Sequence, residues 1–185
     1  HLDVADKASL PIITIYINVY FVGPQGENFT PDGSNGTPNG VTWVDTMINA
    51  VNSIMSNLQD MNYAGYPSLV GDTRIRFALY TEANNQKDQY GGIFFSDTTP
   101  IIIYPNKALD VTFQDVFPTQ IGKDTTINGE QSGREISMYN LYYFWKNKSK
   151  VYNGWYSNRL FLHELGHYLG LCHSFSYNNI CDGVD

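Results

Sequence analysis

Near its C-terminal end the chain reads His163-Glu164-Leu165-Gly166-His167-Tyr168-Leu169-Gly170-Leu171-Cys172-His173, and the rest of the sequence is organised around this stretch. Successive residues of an α-helix advance by about 100°, so His163 and His167 fall within about 40° of each other on one face. Two imidazoles placed that way can grip one ion. Glu164 adjoins the same face without lying under the metal, which suits a carboxylate that must reach the water the metal activates. It is the candidate general base. Gly170 follows His167 by three positions, where a residue free to take positive φ can end the helix and swing the chain around. That turn would bring His173 to the metal. Three neutral imidazoles leave the fourth position of a tetrahedral Zn²⁺ open to solvent, the arrangement of a catalytic site rather than a closed structural one.

A bare H-E-x-x-H arises by chance in unrelated helices, where its histidines are ordinary surface or capping residues. Here the extended string uses every histidine of the chain except His1, and each added position has its own geometric reason. No Glu follows Glu164, so a downstream glutamate cannot be the third ligand within this chain. Asp182 and Asp185 are the downstream carboxylates, and either would replace His173 only if Gly170 failed to make its turn.

The string matches at every fixed position the H-E-x-x-H-x-x-G-x-x-H signature of the metzincin metalloproteases, which this chain resembles. His173-Ser174-Phe175 followed by Cys181-Asp182-Gly183-Val184-Asp185 is most similar to the pappalysin (cytophagalysin) branch. The resemblance covers about the last thirty residues closely, and upstream only the order of elements. It implies a single catalytic domain over residues 1–185, an α+β (α/β-like) metzincin-type fold in which a twisted mixed sheet carries a packing helix and the zinc-binding helix. It also implies His163, His167 and His173 as ligands and Glu164 as the base. Metzincins place a Met-containing turn beneath the zinc, and here no Met follows Met138. The expectation is therefore a chain that continues past Asp185 into a further subdomain. In pappalysin-like proteins the Cys at the position of Cys181 pairs with one further downstream. Cys172 and Cys181 could alternatively bridge each other, or Cys172 could be a buried thiol.

Composition narrows the remaining possibilities. The chain has 185 residues, 42% of them hydrophobic, enough for one domain with a substantial core and too few for two comfortable ones. A net charge of -7 with 16% charged residues argues against a nucleic-acid surface, which needs clustered Lys and Arg. No apolar run is long enough for a transmembrane segment, and no secretory leader is visible. The first residue is His1, so the expected form is a mature or trimmed product that is secreted or held at the cell surface. Asn28-Phe29-Thr30, Asn35-Gly36-Thr37 and Asn147-Lys148-Ser149 fit the glycosylation acceptor pattern.

Several elements must position the motif. The Ile, Val and Tyr of residues 11–22 read as a long first strand inside the sheet. Residues 23–40 are dense in Gly, Pro, Asn and Asp and form a surface loop. Its oxygens could hold Ca²⁺, but they lack a recognised calcium-loop pattern, and turn chemistry accounts for them more simply. From Thr42 to Met61, Trp43, Val44, Met47, Ile48, Val51, Ile54, Met55 and Leu58 recur at three and four, marking an amphipathic helix. Strands are expected over 74–83, 92–96, 99–104 and 135–145, with 122–134 as a surface excursion. Residues 110–118 suit an edge strand, which makes Val111 and Phe113 the candidate substrate-binding residues through main-chain pairing with a peptide. Ser157 or Asn158 would cap the zinc helix, and Leu160, Phe161, Leu162, Leu165 and Leu169 would anchor it.

These readings converge on a zinc-dependent endopeptidase acting on a peptide or protein substrate. The alternative is a secreted binding or adhesion module with a structural zinc clamp, distinguished by a fourth protein ligand such as Asp182 or Cys181. Substrate specificity is not encoded in the motif.

Overall fold

A computed structural model of the chain describes residues 10–23, 28–58, 71–83, 85, 88–97, 104, 106–114, 128–132, 135–139 and 154–171. Its frame is a mixed, mainly parallel sheet. The central strand β1 (Ile13–Val22) takes β4 (Leu109–Gln114) along one side, from Ile17 opposite Leu109 to Val22 opposite Gln114. Its other side is shared: β2 (Ile75–Leu79) pairs with residues 13–17, and β3 (Ile93–Ser96) with residues 19–22. Beyond β4 lies β6 (Glu135–Tyr139), parallel to it, and beyond that β5 (Asn128–Ser132), the one antiparallel strand among those described.

Side chains alternate across a strand, so β1 offers Ile17, Val19 and Phe21 to one face and Asn18 and Tyr20 to the other. The first face is the core. There Ile17, Val19, Phe21, Val111, Phe113, Ile136 and Met138 pack with residues of both helices, α1 (Gly40–Ser56) and α2 (Gly154–Tyr168). α1 supplies Trp43, Val44, Met47 and Val51, the stripe its periodicity predicts, and α2 supplies Phe161 and Leu165. Phe21 stacks against Phe29, Phe95 and Phe113 at centroid separations of 4.8, 5.1 and 5.0 Å. At the start of α1 that stack comes so close that a Cβ on Gly40 would meet Phe95 at 2.7 Å. Only glycine fits there.

The Asn-rich loop is held by its own amides. Asn28 is buried and its Nδ2 donates to the carbonyls of Val22, at 2.7 Å, and Phe113, at 3.3 Å. That nitrogen is where a glycan would attach, so the Asn28 acceptor is closed in the folded chain. Asp32 accepts from the Ser34 amide, which together with the Ser34 hydroxyl holds its carboxyl below the ordinary value, and Asn39 caps α1 by accepting from the Thr42 amide at 2.8 Å. Turn and cap chemistry thus engages two of the loop's candidate Ca²⁺ oxygens.

Five sequence expectations need correction. Residues 109–114 form a central strand, not an edge, because β1 and β6 flank them on both sides. Val111 and Phe113 are 0% and 1% exposed core residues, so neither can meet a substrate. The expected surface excursion at 122–134 contains β5. The helix expected to carry zinc begins at Gly154, which puts Ser157 and Asn158 inside it rather than at its cap, and Leu169 is exposed instead of anchoring it. Residues 99–103 and 140–145 of two expected strands lie outside the described residues.

Candidate metal centre

Helix α2 carries two kinds of residue on two flanks. Phe161 and Leu165 face the core, with Phe161 edge-on to Phe77 of β2 at 5.6 Å, while Leu160 and Leu162 are half-buried around them. His163 is exposed and His167 half-buried. One hundred degrees per residue, roughly, sets Glu164 about 60° from His167 around the axis, between the core and the imidazoles. Glu164 is fully buried. The helix packs against β5, β6 and α1, so the histidines are carried beside the antiparallel edge of the sheet.

The two imidazoles converge. Their rings are nearly perpendicular, with centroids 4.8 Å apart, and the two Nε2 atoms are 3.2 Å from each other. The second nitrogen of His167 settles its tautomer: Nδ1 lies 2.9 Å from the carbonyl oxygen of Leu171, and a carbonyl only accepts, so Nδ1 carries the proton. In the neutral ring Nε2 then carries the lone pair, on the side that meets His163. Two nitrogens bound to one tetrahedral Zn²⁺ at the usual Zn–N length of about 2.0–2.1 Å stand about 3.3 Å apart. The observed separation fits that donor pair, and the Leu171 carbonyl is the outer partner that metal-ligating histidines ordinarily have.

Backbone geometry explains the carbonyl's position. Gly170 has φ +85°, its amide donates to the His167 carbonyl at 2.8 Å, and the Leu171 amide donates to the Gly166 carbonyl at 2.9 Å. Together these form a Schellman turn, the helix stop a glycine in the left-handed region permits. Gly170 thus makes the turn its place in the motif predicts. His173 lies outside the described residues, as do Cys172, Cys181, Asp182 and Asp185. Among the described residues no third His, Cys, Asp or Glu joins the pair.

The outer partner of His167 was not anticipated from the sequence, although the signal was present: a helix ended by glycine at position 170 must turn the next peptide back over its last turn. β5 was missed as well. No helix among the described residues is long and apolar enough to cross a membrane. Comparison of the chain with protein-family models, with curated proteins and with solved structures finds no match.

Proposed function

We propose that this chain is the catalytic domain of a zinc-dependent endopeptidase of metzincin type, most similar to the pappalysins, acting on peptide or protein substrates outside the cell. The observation that carries the reading is the pair of Nε2 atoms 3.2 Å apart, one of them held as a lone-pair donor by the Leu171 carbonyl. His163 and His167 would hold the ion, with His173 as the third ligand implied by the resemblance. Zinc bound there would supply Lewis-acid polarisation of the scissile carbonyl and acidify a water.

The chain's own groups account for the rest of the chemistry. Glu164 stands beside the imidazole face and would accept the proton from the attacking water at a carboxylate oxygen, then return it to the leaving amine. Glu164 is fully buried, which keeps its carboxylate out of bulk solvent. An extended peptide would align on a sheet edge rather than on a central strand. β5 is the edge beside α2, and among the described residues it pairs only with β6, which leaves its outer main-chain groups to a substrate strand. The opposite edge is less available, because Asn52 of α1 already bonds both the amide and the carbonyl of Phe77, at 2.7 and 2.9 Å.

The test is hydrolysis of a mixed peptide library by the full-length product with and without chelator. Cleavage should be abolished by chelator and restored by zinc. Glu164→Gln should keep the metal and lose at least about 10²-fold in turnover, the usual weight of a general base. Undiminished cleavage in either arm refutes the proposal.

A further inference from the structure

The turn at Gly170 also bears on the imidazole of His167. We infer that the Gly170–Leu171 turn is a positioning device for the metal pair, locking His167 in the tautomer whose Nε2 is free to bind. This deepens the zinc reading and rests on it.

Three observations converge on that role. The His167 Nδ1 nitrogen meets the Leu171 carbonyl at 2.9 Å, and that oxygen belongs to the residue directly after the left-handed glycine. Its place is fixed from two sides: the Leu171 amide donates to Gly166, and the Leu171 side chain folds back over Gly166, its Cδ1 and Cβ lying 3.7 and 3.9 Å from where a Cβ would stand on that glycine. Nothing lies within 4 Å of a Cβ built on Gly170, so the requirement there is the φ of +85° and not space. A residue that resists positive φ would therefore loosen the turn without any clash, and with it the acceptor on Nδ1. An imidazole without that acceptor is free to place its proton on Nε2, where it competes with the metal.

The helix stop and the ligand tautomer are thus coupled through one peptide. Because the resemblance also gives Gly170 the role of leading the chain to His173, the two roles must be separated by removing His173 first. The experiment compares His173→Ala with His173→Ala carrying either Gly170→Ala or Gly170→Asn, each labelled with ¹⁵N in histidine. Asn accepts the left-handed region far better than Ala, and so serves as the conservative rescue. In the metal-free chains the ring ¹⁵N shifts of His167 should report a protonated Nδ1 in the parent, a mixed tautomer with Gly170→Ala, and recovery with Gly170→Asn. Zinc affinity, followed through the same signals, should fall about 10–100-fold with Gly170→Ala and return with Gly170→Asn, the range typical of lost outer-shell partners. Leu171→Ala, which loosens the turn from its other side, should move both readouts the same way by less, and it carries the test should Gly170→Ala lose helix by circular dichroism. Unchanged tautomer and unchanged affinity in the folded turn variants overturn the inference. An unsubstituted chain that takes up no zinc, while the tautomer in the His173→Ala background still responds to Gly170→Ala, overturns the zinc reading alone.

Discussion

The two helices lie on the same face of one sheet and use their polar residues in opposite ways. In α1 every polar side chain with a long-range or capping role addresses main chain: Asn39 satisfies the Thr42 amide, and Asn52 takes both the donor and the acceptor of Phe77. In α2 the Nε2 atoms of His163 and His167 meet each other at 3.2 Å, with Glu164 buried at their flank. Amides directed at backbone are architecture, because each bond is complete within the chain. Two ring nitrogens brought within 3.2 Å of each other can share one proton or one ion. The contrast separates the helix that holds the sheet from the helix proposed to present chemistry.

That division can be broken most forcefully by exchanging the readouts. Trp43→Ala on α1 should cost about 3–5 kcal/mol of stability, as large core truncations do, and leave zinc uptake per folded chain unaltered. His163→Ala or His167→Ala should do the reverse, abolishing stoichiometric zinc with little change in the melting temperature of the metal-free chain. A zinc deficit in folded Trp43→Ala, or a core-sized loss of stability in the histidine variants, would erase the distinction. A smaller effect is expected of Asn52→Ala, which strands two groups of Phe77 and should cost about 1–3 kcal/mol, read from urea unfolding. The metal pair should not notice it.

The smallest effect concerns the charge clip at the start of β2. Asp72 bonds the Arg76 guanidinium at 2.8 Å and the Arg74 amide at 2.8 Å, and these hold its carboxyl at about 2 against an ordinary 3.8. A carboxyl whose pKa is lowered by folding stabilises the fold above its ordinary value. That contribution fades as the pH falls from about 4 toward about 2. The carboxylate is open to solvent, so the loss is slight. Asp72→Asn should flatten this acid limb of the melting-temperature profile and leave the neutral region nearly untouched; an unaltered limb would show that the clip contributes nothing.

What the sequence made legible divides along the same line between local and non-local causes. The α1 stripe could be read because Trp43, Val44, Met47 and Val51 repeat at the helical period, and a period is a local property. Ile17, Val19 and Phe21 disclosed β1 in the same way. The rank of a strand within its sheet is not local. Leu109, Val111 and Phe113 alternate with Asp110 and Thr112 as a half-exposed edge would, yet parallel neighbours on both sides bury even the polar positions. β5, Asn-Gly-Glu-Gln-Ser, has no apolar residue for periodicity to register, and its conformation comes from main-chain pairing with β6. In the motif, the spacing of His163, Glu164 and His167 and the glycine stop were legible from helical geometry. The service rendered by the Leu171 carbonyl was not, because it belongs to the backbone, which every sequence shares.

Zinc titration of the chain labelled with ¹⁵N in histidine tests the central claim most directly. The Nε2 signals of His163 and His167 should move together and saturate at one ion per chain, while the His167 Nδ1 proton stays in place. Nε2 signals that ignore the ion, or that respond independently of each other, would show that the two imidazoles merely touch.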